Sequence, residues 1–114
     1  MELSHDHFTI IYKILSTLEE NMETGLPLKE EFFNNETLGI SKQKFAAYLE
    51  MLYDSGYVKN LKIDTYMRNT IIDYVNMKIT LKGLEYLANN TLMQRAYKII
   101  HKITDVAAPV TNLL

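Results

Sequence analysis

Apolar residues recur at intervals of three and four near the start of the chain, where Phe8, Ile11, Leu15, Leu18 and Met22 follow one another at helical spacing. Residues 6 to about 22 are therefore predicted as a first helix, with Asp6 or Ser4 as its cap. A second stripe, Ile10, Ile14 and Thr17, widens the apolar surface, so this helix is expected to pack on two sides. Thr24-Gly25-Leu26-Pro27 stops it. Proline is well tolerated at the start of a helix, where its missing N–H has no partner to lose, and the pattern predicts a short second helix over Leu28 to Asn34 with Leu28, Phe32 and Phe33 facing inward. Asn34 to Gly39 then reads as a connection anchored by Leu38 and Ile40.

The clearest element follows. Ser41 can accept from the free N–H groups of a helix's first turn, and Gly56 can close the helix in the left-handed conformation. Between them Phe45, Leu49 and Leu52, flanked by Tyr48 and Tyr53, fall on one side of a third helix. After Gly56 the period changes to two. Tyr57, Leu61 and Ile63 alternate with polar residues, as do Ile71, Val75, Met77 and Ile79 later, which predicts a hairpin with long arms. Its turn is expected within Tyr66 to Thr70, where Asn69 tolerates positive φ. Thr80 caps a fourth helix with Leu81, Leu84 and Leu87 inward. Thr91 and Gln94 have the spacing of a capping box for a last helix, striped by Leu92, Ala96, Ile99 or Ile100, and Ile103.

This order of elements predicts an α+β, mainly helical fold, a winged helix-turn-helix with five helices and a two-stranded β-hairpin wing. Residues 1–108 are expected to form a single domain and residues 109–114 a flexible tail, since Pro109 ends any helical continuation.

Composition narrows the setting. With 47% hydrophobic residues, a chain of this length can build a real core. The absence of cysteine removes disulfides and thiolate metal sites, and with no apparent signal or spanning segment it points to a cytoplasmic protein. The net charge of −2 is unusual for a nucleic-acid binder. Its distribution is uneven: residues 1–40 carry two lysines against eight acids, whereas residues 41–114 carry ten basic residues against six acids. Such asymmetry can orient a molecule towards an anionic partner.

With these elements placed, the chain resembles the YjcQ family, small winged-helix proteins of bacterial chromosomes and prophages. The resemblance is carried by Pro27-Leu28, Gly39-Ile40-Ser41 with Phe45, Gly56-Tyr57-Val58, the run Ile79 to Leu87, and Ala96-Tyr97-Lys98, and covers about residues 8 to 103. The Pro27-to-Gly39 connection and the hairpin are longer than the family pattern. The resemblance implies the fold and a phage or prophage setting; the family carries no well-defined activity to transfer.

The local signatures of catalysis are missing. The chain has no Gly-rich phosphate loop, no Gly-x-Ser-x-Gly elbow and no His-x-x-x-His pair. Ser41-Lys42-Gln43-Lys44 fits Ser-x-x-Lys formally, but its companion motifs are absent and capping accounts for Ser41. His5, Asp6 and His7 are better read as end residues than as metal ligands. The chain is accordingly read as non-enzymatic, without cofactor or metal.

A binding role rests on the outward face of the third helix, which carries Gln43, Lys44, Ala47, Glu50, Met51 and Asp54. Lys42 and Lys44 occupy a first turn, where the helix dipole prefers anions, and Asp54 a last turn, where it prefers cations. A phosphate backbone would supply the missing anion, with Gln43 and Ala47 near base edges. Lys59, Lys62 and Arg68 from the wing would reach flanking phosphates or the minor groove. The expected function is DNA binding with a regulatory role, the partner double-stranded DNA. The alternative is a protein-interaction module that forms a homodimer through the first and last helices or meets a phage or host protein. The plain reading of the lysines is a solvated helix face.

Overall fold

The computed structural model describes residues 7–102. Among them lie five helices and two small antiparallel two-stranded ladders, an α+β and mainly helical arrangement. The caps at Ser4 or Asp6, Ile103 at the end of the last stripe, and the tail after residue 108 lie outside the described residues.

Helix α1 (His7–Thr24) is the central element and packs against α4 (Leu81–Asn89), α5 (Thr91–His101) and strand β4 (Lys78–Ile79). Its buried side chains are Thr9, Ile10, Ile14, Leu15 and Leu18. The core side therefore takes Leu15 and Leu18 from the first stripe and Ile10 and Ile14 from the second, with Phe8, Ile11 and Thr17 only half-buried at its edge and Met22 exposed. A helix with neighbours on several sides buries the residues between the two stripes most completely.

The predicted second helix over 28–34 is replaced by a turn. The N–H groups of Phe32 and Phe33 both donate to the Lys29 carbonyl, and the chain then extends at Asn34, with φ −159°. Asn34 does not continue a helix; it starts one. Its side chain accepts from the Thr37 N–H at 2.9 Å, while the Thr37 hydroxyl accepts from the Asn34 N–H at 3.0 Å. This reciprocal capping box opens the one-turn α2 (Asn35–Leu38) in the stretch expected to be a connection. The early turn buries Leu28 and Phe33 but leaves Phe32 70% exposed, contrary to its expected inward position.

Helix α3 (Lys42–Asp54) forms as its caps predict. At its end the Tyr57 N–H reaches the Leu52 carbonyl and the Gly56 N–H the Tyr53 carbonyl, the paired bonds of a Schellman turn. Gly56 supplies the positive φ, +82°, that this turn requires. The chain then enters a broken hairpin. Strand β1 (Val58–Lys59) pairs with β4, Val58 opposite Ile79, and beyond an interruption β2 (Lys62–Tyr66) pairs with β3 (Asn69–Asp73), Tyr66 opposite Asn69. The two-residue turn is Met67-Arg68, at φ 49° and 73°, so the left-handed residues are these two and not Asn69. Positive φ at both positions is the type I′ geometry that matches strand twist.

Thr80 both starts α4 and ties it to the end of α3. Its hydroxyl accepts from the Gly83 N–H at 3.0 Å and donates to the Gly56 carbonyl at 2.6 Å. Leu84 and Leu87 are half-buried as expected, but Leu81 is exposed and Gly83 takes the innermost position. The cap of α5 is Asn90, which accepts from the Leu92 and Met93 N–H groups at 2.8 and 3.2 Å. Thr91 is therefore the first residue of the helix and not its cap, and the innermost residues of α5 are Met93 and Ala96. Asparagine is at least as good a cap as threonine, and here it has the extended backbone, φ −75° and ψ 133°, that a cap needs.

Candidate functional site

Three aromatic rings hold α3 in place. Phe33 from the 28–34 turn, Phe45 from α3 and Tyr74 from the hairpin's return meet edge-on, with centroids 5.4 to 5.8 Å apart. Such edge-to-face contacts add roughly 0.5–1.5 kcal/mol each beyond burial. The Tyr74 hydroxyl donates to the Phe33 carbonyl at 2.6 Å. Burial, with the nearby Glu30 carboxylate second, raises the Tyr74 pKa and keeps that donor protonated. On the other side, Tyr48 is buried in the core, its hydroxyl 2.7 Å from Nδ1 of His7. His7 is thus engaged with α3. Among the described residues no group of His, Cys, Asp or Glu side chains is arranged to hold a metal ion, and His5 and Asp6 lie outside them.

With Phe45, Tyr48, Leu49 and Leu52 directed inward, the opposite side of α3 is open. Lys42, Gln43, Lys44, Ala47, Glu50, Met51 and Asp54 are all exposed. Ser41 accepts from the Lys44 N–H at 3.1 Å, which fixes the first turn. That turn has no acidic residue and the last turn has no basic one. The open face is therefore polarised: cations at its beginning, Glu50 and Asp54 towards its end.

The hairpin carries the remaining candidates. Val58, Leu61, Tyr74, Met77 and Ile79 are buried and root it in the core. From that root the β2–β3 ladder projects, with only Ile63 and Ile72, directly opposite one another, half-buried. Lys59, Lys62 and Arg68 are exposed, Arg68 at the tip and Lys62 opposite Asp73. The described residues extend over 53 × 34 × 25 Å. Lys42, Gln43, Lys44 and Ala47 share one end of α3; Lys59 comes just after its other end, about 20 Å along a helix of 13 residues. The candidates thus form an elongated series along α3 and the hairpin, not one compact cluster.

Two further cations belong beside them. Lys78 sits directly across the ladder from Lys59, a like-charge pair that costs stability where both partners are exposed. Lys82, in the first turn of α4, lies beside Gly56 with its Nζ 5.7 Å from the centre of the Tyr57 ring. That ring is stacked on Tyr86 at 4.4 Å, and burial, with Tyr57 next to it, raises the Tyr86 pKa. The sequence signal for Lys78 is its alternation with Met77 and Ile79; which strand residue would face it depends on a register that alternation alone does not fix.

A family model described as YjcQ protein matches residues 12–106. The chain belongs to the YjcQ family. The match runs from α1 through both ladders of the hairpin to α5, so it takes in every element that positions the α3 face. No curated protein and no solved structure matches the chain. Among the described residues, no helix is long and apolar enough to cross a membrane.

Proposed function

We propose that this YjcQ-family chain is a winged helix that binds duplex DNA, with α3 as recognition helix and the β2–β3 hairpin as wing, and that it serves a regulatory, non-enzymatic role of phage or prophage type. One observation carries the reading. The exposed first turn of α3 holds Lys42 and Lys44 and no acid, an arrangement that opposes the helix's own dipole. An anion brought to that turn relieves the mismatch, and a phosphate backbone is a row of anions. Gln43 and Ala47, exposed on the same face, are then within one turn of the phosphate-contacting lysines and available to base edges. Glu50 and Asp54 sit one to three turns further on, so the first half of α3 faces the duplex and the second half leaves it.

Lys59, Lys62 and Arg68 extend the cationic series along the hairpin and would contact flanking backbone, together with Lys78. The test is fluorescence anisotropy of random-sequence duplex titrated with the protein at about 50 and 200 mM salt. Affinity should fall steeply between the two and be lost in a Lys42→Glu, Lys44→Glu double variant. Salt-independent binding, or none to duplex by a folded protein, favours the protein-interaction module instead.

A further inference from the structure

The outer edge of strand β3 is open, and its sequence matches itself. β2 and β3 form a ladder of two strands, so among the described residues each has one edge with no strand beside it. A two-residue turn closes on a hydrogen-bonded pair, here Tyr66 and Asn69. Such pairs alternate along an antiparallel ladder, so Asp64 with Ile71 and Lys62 with Asp73 are bonded too, whereas Thr65 with Thr70 and Ile63 with Ile72 are not. The N–H and C=O groups of Thr70 and Ile72 therefore point away from β2, into the space beyond β3. Proteins commonly guard such an edge with Lys, Pro or a bulge. Asn69-Thr70-Ile71-Ile72-Asp73 has no Lys, no Pro and an unbroken register, and Ile71 at its centre is 62% exposed.

The same sequence selects what can cover it. Set antiparallel to a second β3 about a two-fold axis at Ile71, every residue of the strand finds a partner. Thr70 faces Ile72 of the other copy on both sides of the axis, and each of these pairs exchanges both of its backbone hydrogen bonds. Between them Ile71 meets its own counterpart in the non-bonded position, where side chains come closest, and its exposed surface is covered. At the ends the Asn69 amide comes opposite the Asp73 carboxylate, which uses one oxygen on the Val75 N–H at 3.4 Å and keeps the other to accept. Moving the axis to Thr70 or Ile72 sets Ile71 against Asn69 or Asp73 instead. The edge of β2 fails the same test, since an axis at its centre brings Asp64 against Asp64, a like-charge pair.

We infer that β3 joins two copies of the chain edge to edge, turning two hairpins into one sheet with the strand order β2, β3, β3, β2. The contact is isologous, as a two-fold axis requires. It is also small. A strand of this length runs about 17 Å, which leaves the interface below the ~1,000 Å² of a stable complex, so the dimer is a weak one that follows protein concentration. The inference goes beyond the DNA reading and does not rest on it, because none of the residues placed against the duplex lies on β3.

The test is sedimentation equilibrium of the full chain from about 10 µM to about 1 mM, the range in which a weak interface fills. The wild type should shift from monomer towards dimer across it. Ile71→Lys sets two ammonium groups at the axis and should weaken self-association at least about tenfold, with an unchanged far-UV spectrum because the residue is exposed. The chain has no cysteine, so a single introduced thiol reports the geometry. Ile71→Cys should form a disulfide-linked dimer on mild oxidation, since Cα atoms about 4.5 Å apart in a non-bonded pair are within disulfide reach. Asp64→Cys, directly opposite it in the hairpin but on the strand away from the axis, should not. A wild type that stays monomeric at about 1 mM overturns the inference. So does a folded Ile71→Lys variant that associates as strongly as the wild type, which would put the contact on another face, or equal cross-linking at positions 71 and 64.

Discussion

The hydroxyl of Tyr74 donates to the carbonyl of Phe33 across 41 residues of sequence, at 2.6 Å and out of solvent. That bond, with the edge-on contacts of both rings to Phe45, fixes the hairpin, the 28–34 turn and α3 in one mutual geometry. Everything proposed for the α3 face depends on it.

Tyr74→Phe keeps the ring and removes the donor, leaving a buried carbonyl unpaired. The expected loss is roughly 1–3 kcal/mol in urea denaturation. The same residue makes stability sensitive to high pH. Its pKa is raised in the folded protein, so its contribution is complete below the ordinary tyrosine value near 10 and is lost as pH climbs through the folded value. The wild type should therefore lose stability above about pH 10 more steeply than Tyr74→Phe, which no longer has that proton to lose.

Gly83 offers a case in which local propensity and packing give opposite signs. Within α4, even in its first turn, alanine should be favoured over glycine, by up to about 0.5–1 kcal/mol. A Cβ at Gly83, however, would overlap the Tyr57 carbonyl oxygen and lie 2.7 Å from Cγ1 of Ile79, both in well-packed surroundings. Packing wins: Gly83→Ala is expected to destabilise by about 1–3 kcal/mol and to lower the thermal midpoint. A rise in midpoint would show that α4 sits further from Tyr57.

Asn90→Ala should cost about 0.5–2 kcal/mol, because its side chain takes the Leu92 and Met93 N–H groups. Thr91→Ala, at the exposed first position of α5, should be close to neutral. Parallel thermal melts of the two variants decide which residue caps the helix.

That pair of residues also shows what the sequence could and could not reveal. The helical periods of α1, α3, α4 and α5, the Ser41 and Thr80 caps and the change of period after Gly56 were all legible, because each is a local signal of several residues. The start of α5 was ambiguous by one position, since Asn90 and Thr91 are adjacent and both can cap. The second helix was displaced for a similar reason: Pro27 announces a helix, but Asn34 and Thr37 bind one another's backbone more effectively than a longer helix would. Leu81 and Gly83 exchanged roles because an apolar stripe says nothing of how closely another chain segment approaches. At the candidate site, the exposed α3 residues followed directly from the position of Phe45. Lys78 opposite Lys59 required the ladder register, which is a tertiary fact.

The charges of α3 allow function and stability to be separated in one variant. Lys42 and Lys44 stand where the dipole prefers an anion, and both are exposed. Replacing both with glutamate should therefore stabilise the helix, by about 0.3–1 kcal/mol for each relieved position at low ionic strength. Residues kept for folding do not behave this way, since their loss lowers stability. The expected result is a higher thermal midpoint at low salt, a gain that shrinks as salt screens the dipole, and loss of duplex binding in the same protein. If the midpoint falls instead, the lysines are held by contacts that favour them in the folded state, and their exposure on α3 is no longer an argument for an anionic partner.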